Sequence, residues 1–141
     1  MRAIIVDDER LSLDYFERLL DERPEVTLVA TYTDPHQALA GIEELETDVA
    51  FLYIEMPEIT GIQLAEQIQT FSPRTKIVFV TAYREYAVQA FDLNASDYLL
   101  KPIQKDRLQK TIGRLMEGIA EPIAQTSQPT LGQICCFSSL R

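Results

Sequence analysis

The side chains in this chain that could do chemistry share one placement: each stands where a short apolar run stops. Asp7 and Asp8 follow Ala3-Ile4-Ile5-Val6, and Tyr53 closes Val49-Ala50-Phe51-Leu52. Thr81 closes Ile77-Val78-Phe79-Val80, and Lys101 follows Leu99-Leu100. Two adjacent acids suit a hard divalent cation such as Mg²⁺, which wants oxygen ligands. A lysine can contact a phosphoryl oxygen or pair with those acids, and a threonine hydroxyl can hydrogen-bond the same oxygen. The set suggests phosphoryl chemistry. Tyr53 does not fit it, because a phenol with a pKa near 10 is a poor nucleophile unless a base activates it.

Bringing these residues together takes a particular arrangement of elements. The unbroken run Val49 to Leu52 reads as a strand buried on both faces, and Pro57 ensures that the ladder does not continue. Comparable runs predict strands over about 1–6, 26–32, 76–80 and 96–100. Between them, apolar residues recur at helical spacing. Leu13, Phe16 and Leu20 predict a helix over about 10–22; Asp34-Pro35, an N-cap with proline behind it, opens a second helix whose buried stripe is Ala38, Ile42 and Leu45. Leu64, Ile68 and Phe71 mark a third helix, with Gly61 in the loop before it. A short fourth helix over about 85–91 is expected to turn Ala87, Ala90 and Phe91 inward. Leu108, Ile112, Leu115 and Ile119 space out a fifth over about 104–120. Five strand–helix alternations predict an α/β fold, a doubly wound (βα)5 domain whose parallel sheet has the flavodoxin-like order 2-1-3-4-5. In such sheets ligands sit beyond the carboxyl ends of the strands, where these side chains collect.

The 141 residues amount to one ordinary domain and a little more. A formal charge of −9 disfavours direct binding of this segment to nucleic acid or to an anionic membrane. No apolar run approaches a membrane span and the N-terminus does not read as a signal peptide. The cysteines, Cys135 and Cys136, are adjacent and form no disulfide framework, so the expected location is the cytoplasm.

Over residues 1–120 the chain resembles a response-regulator receiver domain. The resemblance is carried by Val6-Asp7-Asp8-Glu9, by Glu55-Met56-Pro57 with Gly61, by Thr81-Ala82-Tyr83, and by Asp97-Tyr98-Leu99-Leu100-Lys101-Pro102. It implies that Asp7 and Asp8, with the backbone carbonyl of Glu55, hold Mg²⁺, that Thr81 and Lys101 contact a phosphoryl group, and that Tyr98 is a switch that rotates inward. A cis peptide before Pro102 is implied as well. It also implies a histidine kinase or other signalling protein as partner, no turnover of its own, and pairing as a homodimer through the face of the fourth helix, fifth strand and fifth helix. That face offers Arg84, Glu85, Asp97, Lys105, Asp106 and Arg107, a mixed-charge set suited to a self-complementary contact.

The departure lies at the centre, where Tyr53 stands in place of the family's phosphoacceptor aspartate. The expectation is that aspartyl phosphorylation is blocked and that Mg²⁺ binding is weakened by the lost carboxylate. Tyr53 is either a natural substitution in an atypical receiver or a single changed residue in an ordinary one. Its ring is expected to plug the pocket while its hydroxyl bonds Asp8 or Lys101, and Lys101 to pair with Asp7 or Asp8. Two alternatives stand beside this: a phosphorylation-independent dimerisation or protein-interaction module, and phosphotransfer onto Asp7 or Asp8, for which in-line attack is awkward. His36 reads as exposed; Tyr83, Tyr86 and Phe91 read as either core or interface. Residues 121–130, rich in Pro, Ser, Thr and Gln, read as a linker. Residues 131–141 are similar to the first strand of a SARP-like bacterial transcriptional activation domain, which would make DNA the partner of a C-terminal domain not contained in this chain.

Overall fold

A computed structural model describes residues 1–120. The expected linker at 121–130 and second-domain start at 131–141 lie outside the described residues. Five strands alternate with helices: β1 (Arg2–Val6), α1 (Arg10–Asp21), β2 (Thr27–Tyr32), α2 (Pro35–Glu44), β3 (Val49–Tyr53), α3 (Gly61–Phe71), β4 (Lys76–Thr81), then a 3₁₀ turn (Arg84–Tyr86) leading into α4 (Ala87–Asp92), β5 (Asp97–Leu100) and α5 (Lys105–Ala120). The strands form one parallel sheet in the order β2-β1-β3-β4-β5, as expected.

Strand alternation divides the core into two layers. Ala3, Ile5, Val49, Phe51, Val78 and Val80 face α1 and α5, where they meet Leu13, Phe16, Leu20, Leu108, Ile112 and Leu115. Ile4, Val6, Ala50, Leu52, Ile77 and Phe79 face α2, α3 and α4, meeting Ala38, Ile42, Leu64, Ile68 and Ala90. Phe16 stands edge-on to Phe51 with centroids 5.0 Å apart. Each fully buried large side chain contributes about 1.5–3 kcal/mol, so the three central strands anchor the molecule. Their carboxyl ends are consequently fixed to within a side chain's motion, which is what a site built there requires.

Local signals set the helix starts. Asp34 accepts from the His36 backbone N–H at 2.9 Å, with Pro35 behind it. Thr60 and Gln63 close a reciprocal capping box at α3. Gly61 is the first residue of α3 and not part of the preceding loop. A Cβ there would lie 2.3 Å from the Tyr53 carbonyl oxygen, so only glycine lets α3 begin directly against the end of β3.

Three expectations about packing are corrected. In α4 only Ala90 faces inward; Ala87 is exposed and Phe91 is 82% exposed. A helix of six residues presents less than two turns, and the sheet covers a single inward position. Phe71, the last residue of α3, is exposed. Leu45 is the half-buried cap residue after α2. The side chain of Ile119 is not among those described. No described helix is long and apolar enough to cross a membrane.

Candidate functional site

At the carboxyl edge of the sheet, the ends of β1, β3, β4 and β5 carry Asp7, Tyr53, Thr81 and Lys101. Asp7 is buried and both of its oxygens are engaged. Oδ1 accepts from the Glu9 N–H at 2.9 Å and Oδ2 from the Lys101 ammonium at 3.0 Å. This is a charge-assisted bond with both partners largely out of water. Lys101 also donates to the hydroxyl of Ser12, and its Nζ stands 3.7 Å from the centroid of the Tyr53 ring. Lys101 therefore pairs with Asp7, not Asp8, and it meets the face of the tyrosine instead of its hydroxyl. The next peptide bond, Lys101–Pro102, is cis, as the resemblance implies.

The Tyr53 side chain is half-buried, and its hydroxyl bonds neither Asp8 nor Lys101. Burial raises its pKa, followed by the negative charge of the neighbouring Glu55 carboxylate, with smaller contributions from Asp7 and Glu9. The phenol is thus held in its protonated, non-nucleophilic form. Glu55 was expected to matter through its backbone carbonyl. Its side chain turns in as well, and Oε2 accepts from the buried hydroxyl of Thr81. The other oxygen, Oε1, is sealed from solvent with no hydrogen-bond partner. Thr81 Oγ1 in turn accepts from the Tyr83 N–H at 3.1 Å, and the Tyr98 hydroxyl donates to the Tyr83 carbonyl.

Asp8 is the exposed acid of the set, its pKa raised by partial burial and then by the charge of Asp7. Among the described residues no group of three or more acidic, histidine or cysteine side chains could hold a metal ion. With both Asp7 oxygens engaged and the Glu55 carboxylate on Thr81, Asp8 and backbone carbonyls are the remaining oxygen donors. That donor set fits poorly with a cation that demands near-octahedral oxygen coordination.

The six residues assigned to the surface of α4, β5 and α5 separate into two kinds. Arg84 and Glu85, in the 3₁₀ turn, and Asp106 are exposed, and Lys105 pairs with Glu22 at 3.2 Å. Asp97 and Arg107 are not free charges: they clasp each other inside the protomer through bonds of 2.9 and 2.6 Å. The Thr111 hydroxyl adds a bond of 2.6 Å and Arg114 one of 3.2 Å, while the Tyr98 N–H closes the shell at 2.8 Å. Burial works against the Asp97 charge, yet the bonds from Arg107 and Thr111 outweigh it and hold its pKa below the usual range. In the segment before β5, Tyr83, Val88 and Phe91 are 52%, 69% and 82% exposed. His36 is exposed, as expected, with Nε2 3.8 Å from a Glu58 oxygen.

Sequence reasoning missed Ser12, the Glu55 side chain, Thr111 and Arg114. Ser12 carries a weak signal, one helical turn after the acidic loop. The spacing of Arg107, Thr111 and Arg114 along one face of α5 is the signal that places them together.

The family model for the response regulator receiver domain matches residues 3–113. The chain is 40% identical over 139 residues to a response regulatory protein of Vibrio cholerae, covering 96% of this chain and 57% of that one. It is 38% identical over 117 residues to the transcriptional regulatory protein BtsR of Escherichia coli, covering 83% of this chain and 48% of the relative. It thus spans about half to three fifths of the length of these curated relatives. Among solved structures, the response regulatory domain of mrkE from Klebsiella pneumoniae superposes with a TM-score of 0.79 at 34% identity, over 86% of this chain and 99% of that one. The receiver domain of AraT from Geobacillus stearothermophilus gives the same TM-score at 27% identity, over 86% and 96%. Proteins of this family take part in two-component signalling, meet histidine kinases, often dimerise, and bind Mg²⁺ where they are phosphorylated. The sheet order, the acids after β1, the threonine that ends β4, the lysine after β5 and the family match over 3–113 agree: this chain belongs to the response regulator receiver domain family.

Proposed function

We propose that the chain is the signal-input module of a transcriptional regulator in which aspartyl phosphorylation is blocked, and that it signals by protein contact without turnover of its own. One observation carries this reading. At the end of β3, where the family's acceptor carboxylate belongs, stands a tyrosine whose ring lies under Lys101 and whose phenol is pushed away from ionisation by burial and by Glu55. Lys101 is already paired with Asp7, so the groups that would receive a phosphoryl oxygen are occupied. The same arrangement supports weakened Mg²⁺ binding, because the carboxylate missing at position 53 is not replaced by another acid.

Output through the face of α4, β5 and α5 is supported by the exposed Tyr83, Val88 and Phe91, with Arg84 and Glu85 exposed in the 3₁₀ turn and Asp106 exposed on α5. A homodimer, a histidine kinase or another signalling protein is the partner class for this face. Contact with DNA is assigned to a further domain, in keeping with the description of the BtsR relatives as transcriptional regulators. Phosphotransfer onto Asp7 is disfavoured, since both of its oxygens are engaged.

The test is intact mass after treatment with acetyl phosphate and Mg²⁺, for this protein and its Tyr53→Asp variant. The variant is expected to gain a phosphoryl group and the parent is not. Phosphorylation of the parent would overturn the reading. Mg²⁺ titration of the same pair should show tighter binding by the variant.

A further inference from the structure

The carboxylate of Glu55 is an unusual object in this pocket. It is drawn in from the loop after β3, and only one of its oxygens is satisfied, by a threonine hydroxyl that is itself fully buried. Buried carboxylate oxygens without partners are costly and rare, and one that persists calls for a role. The bonds that leave Thr81 suggest what that role is. Its oxygen receives the Tyr83 N–H, and the Tyr83 carbonyl receives the Tyr98 hydroxyl. Tyr83 is the residue from which the 3₁₀ turn and α4 depart. Hydrogen bonds joined through the Tyr83 backbone thus link the loop after β3 to the end of β4, the start of the 3₁₀ turn and the aromatic side chain of β5.

We propose that Glu55 is a positioning residue: it serves as a built-in acceptor for Thr81, and through Thr81 and Tyr83 it sets Tyr98 and the α4 surface from within. The inference rests on the reading that no phosphoryl group reaches this pocket, because Glu55 fills the hydrogen-bonding place beside Thr81 that such a group would need. The physical basis is geometric. Thr81 has no solvent to turn to, so its hydroxyl follows its acceptor, and the Tyr83 backbone follows the hydroxyl. A carboxylate supplied by the chain itself holds this relay at all times. The surface bearing Tyr83, Val88 and Phe91 is then held in one arrangement with no modification of the pocket.

Amide hydrogen exchange by mass spectrometry on the 141-residue protein tests this. Glu55→Ala and Thr81→Val should each accelerate exchange over residues 83–92 by about fivefold or more, with residues 2–6 unchanged, since only a local opening is affected. The double variant should exchange no faster than the faster single one, because both remove the same bond. Glu55→Gln keeps a carbonyl that can accept from Thr81 and should stay within about twofold of the parent. Unchanged exchange over 83–92 in Glu55→Ala overturns the proposal. So does an additive double variant, a Glu55→Gln protein as fast as Glu55→Ala, or acceleration extending equally to residues 2–6. The acetyl phosphate experiment reads the blocked chemistry separately. A phosphorylated parent protein would strike that reading, whereas an altered exchange pattern reports on Glu55 alone.

Discussion

Tyr53 sits between opposite charges, with the Lys101 ammonium over its face and Glu55 acting on its hydroxyl. Each contact has a testable consequence. Lys101→Met keeps the aliphatic stem but leaves Asp7 buried without its cation and removes the charge from the ring. A loss of about 2 kcal/mol is expected in urea unfolding, the magnitude of a hydrogen bond to a charged group. The tyrosine adds a pH dependence of definite sign. Its pKa is raised in the folded state, so its contribution to stability is complete below the ordinary phenol value, and it is lost as the pH climbs towards the folded one. Tyr53→Phe cannot ionise and should therefore show less loss of stability on the alkaline side, measured as the unfolding midpoint against pH.

Asp97 joins two elements, since β5 is an edge strand and α5 is pinned to it by Arg107, Thr111 and Arg114 around one carboxylate. Asp97→Asn keeps the shape but removes the charge, and should cost about 2–3 kcal/mol in urea unfolding. The folded pKa is lowered, so this contribution is present above the ordinary carboxylate value and is lost as pH falls through the lower folded value. Stability of the Asp97→Asn protein should accordingly fall less steeply in acid than that of the parent. Two glycines make a contrast at the same scale. Gly61→Ala would drive a methyl group into the backbone of Tyr53 and Ile54, and a loss of about 1–3 kcal/mol is expected in thermal unfolding. Gly113, in the middle of α5, has open space around it, so Gly113→Ala should stabilise by about 0.5–1 kcal/mol.

For the whole molecule, the question is what the surface around α4 is for. Phe91 is exposed and contributes little to the core, so Phe91→Asp should change folding stability by no more than about 0.5 kcal/mol. If this face pairs two copies, as proposed, the same substitution should convert dimer to monomer in sedimentation velocity. A dimer that survives it would exclude Phe91 from the contact.

The strands and the residues at their carboxyl ends were legible in the sequence, because apolar runs and the residues that stop them are local signals; the parallel order followed from the alternation of strands with helices. The caps at Asp34 and Thr60 belong to the same class, since each bond spans two or three residues. What could not be read locally was decided by where separate elements come to rest. The sequence offers Lys101 two adjacent acids, and only the seating of the segment after β5 against α1 puts its ammonium on Asp7 and Ser12. Glu55 looks like one more loop acid until the end of β4 brings the Thr81 hydroxyl to it. Asp97 and Arg107 read as two surface charges, and the seating of α5 against β5 turns them towards each other. Phe91 in a six-residue helix has no periodicity strong enough to say which way it faces, and the packing of Ala90 inward leaves it outside. Local chemistry determined the elements and the edge where the site lies; long-range contacts determined which partners each side chain there has.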